Sequence, residues 1–346
     1  MTPRIAAIGT AVPEHVLTQA EVREFARGFF ARDFTDLDRL LEAFDNTGIQ
    51  KRHLARPVDW YWQPHTFPEK NAVYREAALD LAEAAARRAL DASGLERRDV
   101  GAILFVSTTG VATPSLDSHL IHRLGLRHTT ARLPIWGLGC AGGAAGLARA
   151  ANLAVALRAP VLLVAVEICS TTFIHGDRSK SNLIATALFA DGAAAAVLTP
   201  GGAGAEVVGT HSHLVEDSED VMGWAVGTEG LRVIFSRSIP AIVRDLAGQI
   251  ARDASASAGI SPDELSHFVF HPGGAKVLRA YAETFGLDNG QLAHAESVLR
   301  DYGNMSSPSV LFVLERFLAS HAPEGRPTLL MALGPGFSAE SVVLRW

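Results

Sequence analysis

Residues 133–147 read LPIWGLGCAGGAAGL: an apolar run, a glycine, a cysteine, and then the small residues of a buried helix. Glycines on both sides of Cys140 allow other backbone, or a substrate, to come close to its sulfur. The N–H groups at a helix start carry partial positive charge, which favours a thiolate at Cys140. A lone cysteine is more often a small core residue, so the catalytic interpretation depends on the rest of the chain.

The composition indicates a globular protein and excludes several other classes. The chain has 346 residues, of which 48% are hydrophobic and 20% charged, enough for one large domain or two ordinary ones. A net charge of -6 without a dense Lys/Arg stripe argues against nucleic-acid binding. Cys140 and Cys169 are too few for a disulfide framework. With no signal-peptide pattern and no apolar stretch of about 18 residues, we expect a cytoplasmic protein without a membrane span.

Short apolar runs alternate with longer helical patterns, which predicts an α/β fold. Buried strands are expected at 5–8, 100–106, 161–166, 193–198, 268–270 and 329–333, and helices at 77–90, 141–157 and 307–317. The helix over 141–157 is apolar nearly all round and should be central. Glycine-rich residues 200–204 separate two roughly similar halves, 1–203 and 204–346. The pattern fits two α/β units packed with two helices between them.

Two later segments offer partners for Cys140. His271 follows a buried strand and Asn304 lies in a turn before a helix, both next to glycines. Each alone is more often a core, turn or capping residue, but α/β proteins gather their sites at such strand ends. The three types suit cysteine-protease hydrolysis, in which Asn orients His. They equally suit decarboxylative condensation, in which His and Asn donate to an enolate oxygen. The disulfides, secretory context and Cys-Trp pair of papain-type proteases are missing.

Four sequence blocks carry a specific family resemblance. GCAGGAAGLARA, HPGGAKVL, YGNMSSPSVLFVLER and LGPGFSAE, with ALFADG between the first two, occur in order along the chain. They resemble the signatures of type III polyketide synthases, the chalcone/stilbene synthase family of the thiolase superfamily, and the bacterial branch in particular. The resemblance implies a thiolase-like α/β fold with layered α-β-α-β-α architecture. It also implies iterative condensation of malonyl-CoA onto an acyl-CoA starter. Coenzyme A thioesters are the substrates, with no other cofactor and no metal.

The resemblance assigns roles to individual positions. Cys140 resembles the acyl-carrying nucleophile, His271 the residue that keeps the thiolate, and Asn304 its partner in decarboxylation. Phe189 resembles an aromatic gatekeeper, and Val233 stands where many plant members carry a second phenylalanine, which should widen the pocket. The remaining substrate-cavity positions are Thr108, Thr109, Thr113, Thr172, Trp224, Ser306, Gly336 and Phe337. Thr113 matches a loop that reaches the neighbouring subunit's cavity. Lys51 and Arg52 match a basic spot near the coenzyme A entrance, with solvated surface charge as the alternative.

The small residue at Val233 favours a fatty-acyl starter and an alkylresorcinol or alkylpyrone product. An apolar tunnel from Cys140 past Val233 would support that expectation. The alternatives are a phenolic product of the chalcone or tetrahydroxynaphthalene type, and an initiation-type β-ketoacyl-ACP synthase. Such synthases usually carry His-Gln-Ala-Asn where residues 271–274 read HPGG. A scaffold without chemistry is a further reading, which the intact set of three residues contradicts. A homodimer is expected, whereas an acyl carrier protein is a possible partner without a clear basic docking patch. The histidines show no metal-site spacing.

Overall fold

The computed structural model describes residues 1–288, 290–320 and 325–346. The strands are β1 (Arg4–Ala11), β2 (His15–Thr18), β3 (Lys51–Leu54), β4 (Ala102–Val106), β5 (Ala131–Ile135), β6 (Val161–Ile168), β7 (Asp191–Thr199), β8 (Ala205–Leu214), β9 (Met222–Gly227), β10 (Gly230–Phe235), β11 (His267–Phe270), β12 (Pro327–Gly334) and β13 (Ser338–Arg345). The helices are α1 (Gln19–Phe29), α2 (Leu37–Asp45), α3 (Val58–Tyr61), α4 (Phe67–Ser93), α5 (Asp117–Leu124), α6 (Gly142–Leu157), α7 (Lys180–Leu188), α8 (Ile239–Ser257), α9 (Ala275–Phe285), α10 (Ala293–Tyr302) and α11 (Ser309–Ser320).

One mixed sheet runs through the molecule in the order β11-β12-β13-β8-β1-β7-β6-β4-β5. Its two sections, one from each half of the chain, join where Arg4 and Ile5 of β1 pair with Glu206 and Ala205 of β8. In the first section β4 pairs in parallel with both β5 and β6, and β7 is antiparallel to β6 and to β1. The hairpins β2/β3 and β9/β10 form two separate small sheets.

Two helices lie between the sections of the sheet. α6 contacts β4, β6 and β7 on one side and β8, β12 and β13 on the other, and α11 packs beside it against strands of both sections. α4 covers the outer face of the first section, and α8, with α9 against it, covers the second. The predicted α-β-α-β-α layers with two central helices are therefore confirmed.

Strand β6 shows why the apolar runs form interior strands. Val161 and Leu163 point into the cluster around the central helices, whereas Leu162 and Val164 point into the cluster under α4. Successive side chains of a strand face opposite sides, so a strand covered on both faces needs an unbroken apolar run. The expectation of strands buried on both faces is confirmed here.

Helix α4 is longer than the predicted 77–90. It begins at Phe67, because Thr66 and Glu69 form a capping box and Pro68 occupies the first turn. Its end agrees with the prediction, since Gly94 adopts the left-handed conformation that terminates helices.

The segment Gly139–Leu157 has the length and apolar composition of a membrane-crossing helix. In the folded protein, 67% of the most apolar 18-residue stretch of this segment is buried. Core helices commonly meet the same criterion, and this segment is the central helix α6 with the turn before it.

Candidate active site

A single 3₁₀ turn, Gly139–Ala141, carries Cys140 into the start of α6. Gly139 has φ +46°, and a Cβ there would lie 2.8 Å from the Cδ of Pro335. A Cβ on Gly143 would lie 2.2 Å from the carbonyl oxygen of Ser307. Only glycine permits these approaches. The glycines around Cys140 therefore allow its turn to pack closely against the start of α11 and the turn after β12.

His271 lies just after β11, and Asn304 lies between α10 and α11. The Oδ1 of Asn304 accepts from the N–H of Ser306 at 2.8 Å, and its Nδ2 donates to the carbonyl of Gly273 at 3.2 Å. These contacts orient the amide, which also hydrogen-bonds to the Cys140 sulfur. Within the described ranges, neither ring nitrogen of buried His271 has a hydrogen-bond partner.

Cys140, His271 and Asn304 line one cavity with a volume of about 350 Å³. The other lining residues are Met222, Phe235, Ile239, Gly273, Val277, Tyr281 and Leu333. The structure therefore brings together the three candidate catalytic residues, which come from both halves of the chain.

Burial controls the protonation of Cys140 and His271. It raises the pKa of the Cys140 thiol to about 11, although hydrogen bonds with Ser306 and Asn304 oppose this shift. Burial also lowers the pKa of His271 to about 3. Desolvation therefore opposes the thiolate that the helix start is expected to favour, and the thiolate at Cys140 stays a prediction.

A carboxylate that the sequence analysis missed lies beneath this site. Glu167, at the end of β6, is fully buried and accepts from the N–H groups of Thr108 and Thr109, both at 2.9 Å. It also accepts from the hydroxyl groups of Thr109 at 2.8 Å and Ser307 at 2.9 Å. Burial raises the pKa of Glu167 to about 7. Thr108 accepts in turn from the N–H of Gly139 at 3.1 Å, so this network supports the turn that carries Cys140.

A second cavity, of about 60 Å³ and partly open to solvent, is lined by Phe189, Val233, Thr172 and Cys169. Its other lining residues are Leu17, Val22, Phe25, Arg52, Leu54, Val58, Tyr61, Ser170, Phe173, Asn182, Ala185 and Thr186. The lining is mostly apolar, which suits an aliphatic group.

Trp224 occupies space beside Phe189. It pairs with Val233 across the β9/β10 hairpin, and its ring centroid lies 6.0 Å from that of Phe189. Directly paired residues in antiparallel strands share a face. The small side chain of Val233 thus stands opposite a bulky one, which limits the widening that the sequence predicted.

Among the described residues, the cavities of Cys140 and Val233 have no lining residue in common. Phe189 lines one and Asn304 the other, and these two residues pair through their backbones. The apolar tunnel from Cys140 past Val233 stays a prediction.

One predicted position lies elsewhere than the resemblance suggested. Arg52 is 1% exposed and donates to backbone carbonyls inside the protein, so it is not a surface contact for coenzyme A. It was assigned from motif position alone, which does not reveal the direction of a side chain. Phe337 is 1% exposed and belongs to the buried cluster around the central helices, and its place in the substrate cavity stays a prediction.

The remaining predicted positions surround the site at different depths. Ser306 adjoins Cys140, and Gly336 accepts from Ser218 at 3.0 Å beneath it. Lys51 and Thr113 are exposed on the surface of the chain. Across 1–288, 290–320 and 325–346, no three His, Cys, Asp or Glu side chains lie together so as to hold a metal ion.

A large groove of about 1540 Å³ opens onto the Cys140 cavity, with which it shares Phe235, Ile239, Gly273 and Val277. Four cationic residues and one acidic residue line it: Arg39, Lys180, Arg237, Lys276 and Glu42. Arg39 and Lys180 both form ion pairs with Asp36, at 2.8 and 4.0 Å. Sequence reasoning missed these cations because they come from four separated segments. Glu167 could have been noticed, since a lone carboxylate in the apolar run VLLVAVEI requires buried partners.

Comparisons with known proteins agree with this geometry over the whole chain. Residues 2–203 match the model of the N-terminal domain of chalcone and stilbene synthases, and residues 206–346 match that of the C-terminal domain. A putative chalcone synthase of Bacillus subtilis is 41% identical, covering 99% of this chain and 98% of the relative. A 1,3,6,8-tetrahydroxynaphthalene synthase of Streptomyces peucetius is 40% identical, covering 99% and 93%.

A solved structure shows the same fold. The crystal structure of 1,3,6,8-tetrahydroxynaphthalene synthase from Streptomyces coelicolor, a bacterial type III polyketide synthase, superposes with a TM-score of 0.94. It is 32% identical to this chain, and the match covers 99% of both. The expected thiolase-like fold and acyl-transferring enzyme class are confirmed. This chain belongs to the chalcone and stilbene synthase family, the type III polyketide synthases.

Proposed function

We propose that the enzyme extends an acyl group held on Cys140 by repeated decarboxylative condensation, followed by cyclisation. The convergence of Cys140, His271 and Asn304 in one cavity carries this proposal. In the loading step, the Cys140 thiolate attacks the starter thioester, and coenzyme A leaves as a thiol. Malonyl-CoA then loses carbon dioxide, and the electron pair of the broken C–C bond forms an enolate. The enolate carbon attacks the acyl-cysteine carbonyl, which releases Cys140 and leaves a β-ketoacyl-CoA two carbons longer.

His271 and Asn304 have different roles in proton transfer and in stabilising the enolate oxygen. The unpartnered ring of His271 can take the thiol proton and later donate to the enolate oxygen. The Asn304 N–H that faces Cys140 can donate to the same oxygen, because Ser306 and Gly273 hold the amide in one orientation.

The cationic groove is the better candidate for the coenzyme A site. Arg39, Lys180, Arg237 and Lys276 surround it, and it leads directly to the Cys140 cavity. Guanidinium and ammonium groups bind phosphates well, so they suit the phosphates of the nucleotide while the pantetheine arm reaches the cysteine. Buried Arg52 is excluded from this role.

Two starter classes remain, each with its own support. The apolar cavity behind Phe189 suits an aliphatic acyl chain, which would lead to an alkylresorcinol or alkylpyrone. A chain of this kind must pass from the Cys140 cavity to the cavity behind Phe189. The names of two relatives, both tetrahydroxynaphthalene synthases, favour a phenolic product instead. The bulk of Trp224 beside Phe189 also favours a small starter.

A homodimer across β5 completes the proposal. Among the described strands this edge strand pairs with β4 alone, and Leu133 within it and Trp136 just after it are 42% and 53% exposed. Exposed apolar edges favour association, and Thr113 lies in the loop after β4, where the carbonyl of Gly110 accepts from Trp136 at 3.1 Å. Two buried, unpaired cysteines support the expected cytoplasmic location. Light scattering of a fully active monomer would contradict the dimer.

The test is mass spectrometry of products from labelled malonyl-CoA with acetyl-, octanoyl-, palmitoyl- or coumaroyl-CoA. Two or three labelled units on a fatty starter would establish the alkyl product. Products built from malonyl units alone would establish the phenolic one. A single condensation, or none without an acyl carrier protein, would favour a ketoacyl synthase. Product from a Cys140→Ala variant would contradict the catalytic assignment.

The division of roles has a separate test. A His271→Ala variant should lose both loading of Cys140 and decarboxylation, whereas Asn304→Ala should lose mainly decarboxylation. Loading is followed by intact-protein mass and decarboxylation by release of labelled carbon dioxide. Equal losses at both steps in both variants would contradict the division.

A further inference from the structure

Arg52 is a buried cation at the C-terminal end of α7. Its Nη1 donates to the carbonyls of Thr186 at 2.8 Å and Phe189 at 3.0 Å, and its Nη2 donates to that of Ala187 at 2.7 Å. The last carbonyls of a helix lack partners within the helix and carry partial negative charge. A guanidinium with several donors in one plane satisfies them together.

Two side chains hold Arg52 in this place. Gln19 accepts from its Nη2 and donates its own amide to the carbonyl of Ala187 at 3.1 Å. Asp191 supplies the opposite charge, which partly offsets the desolvation that lowers the pKa of Arg52 to about 9. Arg52 therefore remains charged at neutral pH, in a region where an uncompensated charge is costly.

The segment that Arg52 clamps is the one that pairs with Asn304. The remaining carbonyl, that of Leu188, accepts from the N–H of Asn304 at 3.0 Å, and the N–H of Ala190 donates to the Asn304 carbonyl at 2.9 Å. Arg52 thus holds the carbonyls on either side of Leu188, while Leu188 itself holds the backbone of Asn304. On its other side the same segment presents the ring of Phe189 to the apolar cavity.

We propose that Arg52 is a positioning residue for the decarboxylation step, acting through the backbone of Leu188–Ala190 on Asn304. The inference rests on the proposed function, in which the Asn304 amide stabilises the enolate. Arg52 acts on backbone and not on the reacting atoms, because its described hydrogen bonds go to the carbonyls of Thr186, Ala187 and Phe189 and to Gln19. Its role is to keep the Asn304 amide aimed into the cavity of Cys140 and His271 while the Cys140 turn is held by other contacts.

The experiment separates loading from decarboxylation in an Arg52→Met variant. We expect release of labelled carbon dioxide from malonyl-CoA to fall at least tenfold, and acylation of Cys140 by a starter to change less than threefold. Arg52→Lys should recover part of the decarboxylation rate, because an ammonium group can reach some of the same carbonyls. The control is Arg149→Met, since Arg149 forms a two-point ion pair with buried Glu340 at 2.5 and 3.0 Å. This control should leave the ratio of the two rates unchanged.

Each outcome decides the proposal. Equal losses of loading and decarboxylation in Arg52→Met, or no loss of either, would overturn it. If Arg52→Met does not fold, Arg52→Lys carries the same test, and an unchanged ratio there would overturn it. Asn304→Ala in the same assay distinguishes failure of the proposed function from failure of the role assigned to Arg52. Retained decarboxylation in Asn304→Ala would refute the proposed function, whereas its loss there without loss in the Arg52 variants would refute only the role of Arg52.

Discussion

The two segments that meet at the catalytic cavity are held in place by different physical means. The Cys140 turn and the start of α6 are positioned by glycines, such as Gly143, in direct contact with neighbouring backbone. The segment around Asn304 is positioned by hydrogen bonds, including those from Ser306 at 2.8 Å and to Leu188 at 3.0 Å. We therefore expect the Cys140 turn to be destabilised when atoms are added to its glycines. The segment around Asn304 should be destabilised when its hydrogen-bond partners are removed.

Adding one methyl group at Gly143 should have the largest effect. The new Cβ would lie 2.2 Å from the Ser307 carbonyl oxygen and 2.7 Å from Cγ1 of Val310, so backbone must shift. We expect Gly143→Ala to lower the free energy of unfolding by about 3 kcal/mol, measured by urea denaturation. Gly201→Ala is the matched control, because no atom lies within 4 Å of a Cβ there, and its change should stay below about 0.5 kcal/mol. Equal midpoints for the two variants would contradict the comparison.

Removing the carboxylate beneath both segments should have an intermediate effect. Glu167→Ala leaves the buried N–H groups of Thr108 and Thr109 without their acceptor, at a cost of about 2 kcal/mol or more in unfolding free energy. Glu167→Gln keeps an acceptor oxygen and should lose less. If the two variants were equally stable, the network would contribute nothing beyond packing volume.

The same residue gives a pH test with a definite sign. Burial raises the pKa of Glu167 from 4.5 to about 7, so between these values the folded state holds a proton that the unfolded state has released. The contribution of Glu167 to stability therefore decreases as pH rises through this window. Burial lowers the pKa of His271 from 6.5 to about 3, so the contribution of His271 to stability increases as pH rises between these values. Because His271 is present in both wild type and Glu167→Gln, this contribution cancels from the difference in their stabilities. The stability of Glu167→Gln relative to wild type should rise from pH 4.5 to 7 and then level off.

The smallest expected effect is on the reactivity of Cys140 when His271 is replaced. Burial, together with the charge of Glu167, raises the pKa of Cys140 to about 11, so its reactivity at neutral pH should depend on His271 as a proton acceptor. We expect alkylation of Cys140 by iodoacetamide at pH 7 to be about tenfold slower in His271→Gln, equivalent to about 1.4 kcal/mol. Cys140→Ala supplies the background from Cys169. Equal rates in wild type and His271→Gln would show that the imidazole does not assist ionisation.

Sequence patterns located six of the thirteen strands in the described residues, together with α4 and the central helices α6 and α11, because buried strands and helices have distinct apolar periods. They missed the first turns of α4, where exposed polar residues hide the period and the capping box of Thr66 starts the helix. They also misplaced Arg52. Adjacent strand residues face opposite sides, so on β3 Lys51 is exposed while Arg52 points inward.

By itself the sequence determined the family, the layered fold and the identity of the three candidate catalytic residues, because each is encoded by local motifs in a specific order. Only the tertiary structure decided that Trp224 faces Phe189, that Arg52 lies beneath Asn304, and that burial opposes the Cys140 thiolate. These features depend on distances between distant parts of the chain and on the loss of water around charged groups. Neither these distances nor this desolvation can be predicted from a short stretch of residues.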